Sequence, residues 1–104
     1  MPVKITFFGH SGFVLESGGT ALAIDPFLTG NPVARHQPSD IRVQHIAVTH
    51  GHSDHLGDTL AIAKANNATI YCVYEIYEYL SAKGHKLFQS GNTGGRIKIG
   101  RAHV

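Results

Sequence analysis

Short runs of apolar and β-branched residues alternate along the chain with breaks that contain glycine, proline and asparagine. The runs are of strand length, and they predict five β-strands, at residues 3–8, 13–16, 20–24, 46–48 and 69–73. A Gly-Gly pair at residues 18 and 19 is typical of the tight turn of a β-hairpin. We therefore expect the first three strands to pair antiparallel.

Two later segments have helical spacing instead. Residues 58–66 are rich in helix formers, and Asp58 or Thr59 is placed to cap the start of the helix. In residues 75–83 the apolar positions recur at i, i+3 and i+4, and Gly84 follows as a stop signal. The order from residue 46 onward is thus strand, helix, strand, helix.

The remaining segments are less regular. Residues 26–40 contain prolines at positions 26, 32 and 38, which favours a long loop over a regular element. Residues 85–89 and 96–99 fit further short strands, with a glycine-rich turn between them. Residues 100–104 read as the opening of another strand, which would lack a neighbour. We therefore expect residues 1–104 to be one domain that is the amino-terminal part of a longer domain.

Composition narrows the functional classes. The chain has 104 residues, 42% of them hydrophobic, and a net charge of +2 with nine scattered lysines and arginines. Such a charge distribution does not favour nucleic-acid binding. The start of the chain has no apolar signal-peptide core, and no apolar run approaches the ~18 residues of a membrane span, so we expect a cytoplasmic protein without a membrane partner.

Histidine is unusually frequent, and its distribution is informative. Eight of the 104 residues are histidines, and three of them fall with an aspartate within six positions, as His50, His52, Asp54 and His55. Imidazole nitrogens and carboxylates are ligands of divalent metal ions. Since the side chains of neighbours such as Asp54 and His55 diverge, the four ligands suit two adjacent ions better than one. The alternative interpretation is a polar surface loop.

The pattern H-x-H-x-D-H, after an apolar strand and before Leu-Gly-Asp, resembles the first metal motif of the metallo-β-lactamase fold hydrolases. Within that superfamily the chain is similar to the branch of metal-dependent hydrolases related to L-ascorbate-6-phosphate lactonase. The similarity is carried by Gly-His-Ser-Gly-Phe at residues 9–13, Ile-Asp-Pro-Phe at 24–27 and Gly-Asn-Pro at 30–32. It implies the N-terminal half of an αββα sandwich, of class α/β (α+β), in which a mixed sheet packs with two helices.

The resemblance also implies roles for single residues. His50 and His52 resemble ligands of a first metal ion, and Asp54 and His55 resemble ligands of a second. Asp54 is also expected to act catalytically, as the acceptor of the nucleophile's proton. The implied cofactor is Zn²⁺, with two ions expected, and Mn²⁺, Fe²⁺ or Ni²⁺ as alternatives.

Two further residues are candidates for supporting roles. Asp25 matches an aspartate that supports the metal loop by hydrogen bonding, although a plain strand-end residue before proline is the alternative. His10 is a candidate for supporting a metal ligand by a hydrogen bond or for contacting the substrate, and the alternative is a turn histidine. His36, His45 and His85 lack motif support and are expected at the surface or at strand ends. His103 is not assigned, because the resemblance places the remaining ligands beyond Val104.

The function implied is hydrolysis of a small-molecule ester, lactone or phosphoester by a hydroxide that one or two divalent ions activate. The alternative is a catalytically incompetent metal-binding fragment that self-associates, as a homo-oligomer, to complete the sandwich. A nuclease of the same fold is a further alternative, which the weak basic character disfavours. The single cysteine, Cys72, lies in an apolar run and is expected to be an inert core thiol.

Overall fold

The computed structural model describes residues 2–9, 11–32, 36–49 and 56–91. Its strands are β1 (Lys4–Phe7), β2 (Phe13–Ser17), β3 (Thr20–Ile24), β4 (His45–Ala47), β5 (Thr69–Val73) and β6 (Phe88–Gly91). Its helices are α1 (Thr59–Asn66) and α2 (Tyr74–Ser81), and a short 3-10 turn spans Pro38–Asp40. The five predicted strands and both predicted helices are confirmed, with shifts of one or two residues at their ends.

The strands form one mixed sheet in the order β1-β2-β3-β4-β5-β6. The first three strands pair antiparallel, as the Gly-Gly turn predicts, and β3 to β6 pair parallel. A parallel neighbour needs a crossover connection, which α1 and α2 supply between the later strands. As a result, the carboxyl ends of β3, β4 and β5 lie at one edge of the sheet.

One face of the sheet is the core. Val14, Ala23, Ile46 and Ile70 are buried partners across four neighbouring strands. Helix α1 contacts β4, and α2 contacts β5 and β6, so that the apolar sides of both helices cover this face. The alternation along the strands therefore selects which side the helices cover.

The opposite face is apolar and lies open at β1. Ile5 and Phe7 keep 64% and 63% of their side chains exposed, beside the half-buried Leu15 and Phe13 that face them on β2. No element among the described residues packs over these two side chains. None of the helices in the described ranges has the length and apolar character that crossing a bilayer requires.

Two predictions differ from the structure at the end of the described chain. Strand β6 begins at Phe88 and includes residue 90, so the expected strand at 85–89 is displaced toward the C-terminus. His85, expected at the surface or at a strand end, is 6% exposed, and its Nε2 hydrogen-bonds to the Ala68 carbonyl oxygen at 2.7 Å. Its ring packs edge-on against Phe88, which accounts for the burial. The predicted strand at 96–99 lies outside the described residues.

Candidate metal centre

The candidate ligand segment follows β4 at the carboxyl edge of the parallel strands, where α/β folds commonly place their sites. Thr49 precedes the segment and residues 56–58 follow it, and both flanks are described. The proposed ligands His50, His52, Asp54 and His55 lie outside the described residues, as does His10. The structure therefore shows how the two ends of the ligand segment are held.

Asp25 holds the first end. Its Oδ1 accepts a hydrogen bond from the Thr49 backbone N–H at 2.7 Å, and its Oδ2 accepts one from the Thr49 hydroxyl at 2.6 Å. The Asp25 N–H donates to the Ala47 carbonyl at 3.0 Å. Hydrogen bonds to a carboxylate are short and strong, so this side chain, which is 2% exposed, orients the residue immediately before His50.

The backbone at Asp25 is itself constrained. Its φ of 46° lies in the left-handed region, which aspartate tolerates better than most residues. The carbonyl oxygen of Asp25 lies so close to Gly12 that a Cβ there would stand 2.5 Å from it. A glycine at position 12 is thus what allows the turn after β1 to approach Asp25.

Asp58 holds the second end. Its Oδ2 accepts hydrogen bonds from the backbone N–H groups of Leu28 and Thr29, each at 2.8 Å. Its Oδ1 accepts the Thr29 hydroxyl at 2.7 Å, and its own N–H donates to the Pro26 carbonyl at 2.9 Å. Asp58 occupies the N-cap position of α1 as the sequence suggests, but its side chain makes no capping hydrogen bond. The expected capping role of the side chain is therefore wrong.

Gly57 allows the chain at residues 57 and 58 to lie against the backbone of Pro26 and Phe27. Its φ is +49°, and a Cβ at this position would stand 2.5 Å from the Pro26 carbonyl oxygen and 2.6 Å from the Phe27 Cα. Any other residue would push the two segments apart. The Asn31 side chain connects this stretch to the end of β1, because its Nδ2 donates to the carbonyls of Phe27 at 2.9 Å and Phe8 at 3.2 Å.

Both ends of the ligand segment are consequently attached to residues 25–29. The donor set of three imidazoles and a carboxylate fits a divalent ion, and a segment with two anchored ends is suited to presenting ligands in a fixed arrangement. The residues present therefore fit the metal that the motif implies. Within the described ranges, no group of three histidine, cysteine, aspartate or glutamate side chains could hold a metal elsewhere.

The histidines outside the motif that are described have other environments. Nδ1 of His45 hydrogen-bonds to the Tyr71 hydroxyl at 2.9 Å, and burial lowers the pKa of His45. The ring of His36 packs edge-on against Phe8, with 5.4 Å between ring centroids. Cys72 is buried, and burial raises the pKa of its thiol to about 11, as expected for an unreactive core cysteine.

The amino-acid sequence is similar to a known protein family and to named proteins of two microorganisms. Residues 5–101 match the family model described as the Metallo-beta-lactamase superfamily. A protein of Archaeoglobus fulgidus named as a UPF0173 metal-dependent hydrolase is 53% identical over 102 residues, which cover 98% of this chain and 43% of that protein. A protein of the same name from Carboxydothermus hydrogenoformans is 46% identical over 102 residues, covering 98% of this chain and 45% of that protein.

A solved structure is also similar. Igni18, described as a metallo hydrolase from the archaeon Ignicoccus hospitalis, superposes with a TM-score of 0.83 at 38% identity, over 93% of this chain and 42% of that chain. The chain thus spans less than half the length of these relatives.

Proposed function

The chain belongs to the metallo-beta-lactamase superfamily, and we propose that it supplies the metal-binding loop of a hydrolase that acts on a small-molecule ester, lactone or phosphoester. The observation that carries this proposal is the attachment of Thr49 and Asp58 to one segment, residues 25–29, on either side of the His-x-His-x-Asp-His sequence. The carboxylates of Asp25 and Asp58 thus make hydrogen bonds on the two sides of a segment that contains four candidate ligands.

The proposed assignment of residues follows the motif. His50 and His52 bind one divalent ion, and Asp54 and His55 bind a second. Zn²⁺ suits these ligands, and Mn²⁺, Fe²⁺ and Ni²⁺ are accepted by the same donor types. When bound, such an ion lowers the pKa of a water molecule toward ~7 and stabilises negative charge on a substrate oxygen.

The remaining chemistry belongs to the chain's own side chains. The carboxylate of Asp54 accepts the proton released by the attacking water. Asp25 positions Thr49 and thereby the backbone leading into His50. His10, which lies between β1 and β2 in sequence, contacts the substrate or supports a ligand.

The assignment is tested by substituting His50→Ala and His52→Ala and measuring metal content by elemental analysis, together with hydrolysis of p-nitrophenyl acetate and bis(p-nitrophenyl) phosphate. The protein is purified without an affinity tag or added metal. We expect each substitution to lower metal content and to abolish hydrolysis. A His36→Ala variant is the matched control and should retain both. Retained hydrolysis with unchanged metal content in the His50 and His52 variants would overturn the assignment.

A second candidate function is favoured by the open face of the sheet. Ile5 and Phe7 expose large apolar surfaces on β1, next to Phe13 and Leu15. Contiguous exposed apolar surface marks an interaction site. In this alternative the chain is a catalytically incompetent metal-binding module, and a second copy of the chain covers this face in a two-fold dimer.

Sedimentation velocity at several protein concentrations separates the two candidates. The second candidate function predicts a dimer, which the Phe7→Lys substitution converts to a monomer. It also predicts that the protein binds metal and shows no hydrolysis. Tyr79→Lys, at an exposed tyrosine on α2, is the control and should leave the dimer unchanged. A monomer at every concentration would contradict the second candidate.

A further inference from the structure

We propose that Asp58 is a positioning residue of the metal loop: its carboxylate attaches the chain that follows residues 50–55 to Leu28 and Thr29 and thereby strengthens binding of the divalent ion. This inference rests on the proposed function of segment 50–55 as the metal-binding loop.

The hydrogen bonds of Asp58 point away from its own helix. An aspartate at the N-cap position ordinarily accepts a backbone N–H from the first turn of the helix and so stabilises the start of that helix. Here both carboxylate oxygens accept donors from Leu28 and Thr29 instead, three hydrogen bonds at 2.7 to 2.8 Å across 29 or 30 positions of sequence. The Asp58 side chain therefore does not cap helix α1 but connects the start of that helix to Leu28 and Thr29.

The attachment is specific in its geometry. Two consecutive backbone N–H groups and one hydroxyl converge on a single carboxylate, while the Asp58 N–H donates to the Pro26 carbonyl in the reverse direction. Gly57 lies against Pro26 and Phe27 with no space for a side chain. Residues 57 and 58 are therefore fitted to segment 26–29 by polar contacts and by shape together.

Asp25, which directly precedes residues 26–29, holds the chain on the other side of residues 50–55. Asp25 accepts both hydrogen-bond donors of Thr49, and the Phe27 N–H donates to the Asp25 carbonyl at 2.8 Å. Thr49 and Asp58, on the two sides of residues 50–55, are thus both attached to one short stretch of chain. Fixing both ends of a segment reduces the conformational freedom that it loses when its side chains bind a ligand.

A positioning role predicts how affinity depends on the Asp58 side chain. Asp58→Asn removes the charge and turns one acceptor into a donor facing Leu28 and Thr29. Asp58→Glu retains the charge but displaces the carboxylate by about 1.5 Å, the length of one carbon–carbon bond. If position matters, both variants lose affinity; if only negative charge near the metal matters, Asp58→Glu retains it.

The experiment is a Co²⁺ titration of the metal-free protein, followed by the visible absorption of the bound ion, which reports its coordination geometry. For Asp58→Asn and Asp58→Glu we expect a Kd for Co²⁺ about 10- to 100-fold above that of the unsubstituted protein, the range found when groups that orient metal ligands are removed. We also expect a changed absorption spectrum. Thr29→Val, which removes only the hydroxyl donor, should give a smaller increase in Kd and remains informative if the Asp58 variants fold poorly.

Asp40→Asn is the matched control, because Asp40 also accepts a backbone N–H, from Gln37 at 2.9 Å, but within its own turn, three positions away in sequence. Its Kd and spectrum should equal those of the unsubstituted protein. Asp58 variants that bind Co²⁺ as tightly as this control, with the same spectrum, would overturn the inference and leave the proposed function standing, as would a normal Kd in Asp58→Glu alone. An unsubstituted protein that binds no Co²⁺ would overturn the proposed function itself, and the inference with it.

Discussion

Asp25 accepts both hydrogen-bond donors of Thr49, the backbone N–H at 2.7 Å and the hydroxyl at 2.6 Å, although the two residues are 24 positions apart. The contact joins the end of β3 to the end of β4 at the carboxyl edge of the sheet. We expect Asp25→Ala to lower the free energy of unfolding by about 2 to 4 kcal/mol, because it removes hydrogen bonds to a charged group and because alanine is disfavoured at a positive φ.

Asp25→Asn is the matched comparison for this prediction. Asparagine has nearly the same size, adopts positive φ, and retains an acceptor for the Thr49 N–H. Its loss should be smaller than that of Asp25→Ala, as measured by urea denaturation. Equal losses in the two variants would show that the hydrogen bonds to Thr49 contribute nothing beyond the charge.

The close approach of Gly57 to Pro26 gives a second prediction. Gly57→Ala should destabilise the protein by more than Gly19→Ala, because both glycines have positive φ, at +49° and +84°, but only Gly57 has backbone atoms within 3 Å of the added Cβ. For Gly19→Ala we expect only the conformational cost of about 1 to 2 kcal/mol. Urea unfolding midpoints compare the two, and similar shifts would contradict a steric fit between residues 57 and 26.

The hydrogen bond between His45 and Tyr71 gives a third prediction. Tyr71→Phe should lower the free energy of unfolding at pH 7 by about 1 kcal/mol, because it leaves Nδ1 of His45 without its partner. Tyr79→Phe changes an exposed tyrosine and should be nearly neutral. A Tyr71→Phe variant as stable as Tyr79→Phe would contradict a stabilising role of this hydrogen bond.

The pH dependence at His45 can be measured separately. Burial lowers the pKa of His45 below its ordinary value of 6.5, so the unfolded state takes up its proton first as the pH falls. This contribution to stability is complete above pH 6.5 and is lost as the pH falls through the lowered pKa. NMR titration of the His45 ring should show a midpoint below 6.5, and a midpoint above it would reverse the sign.

Cys72 gives a fourth prediction. Burial raises the pKa of its thiol from 9.0 to about 11, so the native thiol stays protonated at pH 8 and should react slowly with iodoacetamide. The same thiol should react rapidly in urea, and an introduced exposed cysteine, Tyr79→Cys, should react rapidly in the native protein. Equal native rates for Cys72 and the introduced cysteine would contradict its burial.

The same shift makes stability depend on pH in the alkaline range. Because the unfolded thiol ionises near pH 9.0 and the folded thiol near 11, the contribution of Cys72 is complete below pH 9 and is lost as the pH rises through about 11. Cys72→Ala should remove this part of the alkaline decline in stability. An unchanged pH profile in that variant would assign the decline to other groups.

Much of the secondary structure follows from local sequence. The alternation in β2 and β3 and the i, i+3, i+4 spacing in α2 are properties of neighbouring residues, and both elements form where they are expected. Strand β6 begins later than the predicted strand at 85–89 because residues 85–91 have weak alternation, and its start depends on pairing of Phe88 with Ile70 on β5. The candidate ligands are recognisable for the same local reason, since they lie within six consecutive positions, and their role stays a prediction.

The sequence by itself determined the strands, the two helices and the cluster of metal-binding residue types, because each depends on spacing along a short stretch of chain. The resemblance indicated Asp25 as a support of that cluster, and only the tertiary structure decided that Asp58 is attached on its other side. Asp58 is predicted to cap a helix and instead accepts hydrogen bonds from Leu28 and Thr29. His85 is predicted at the surface or at a strand end and is buried against Phe88. Such partners are set by the order of the strands in the sheet, which brings segments together that are distant in sequence.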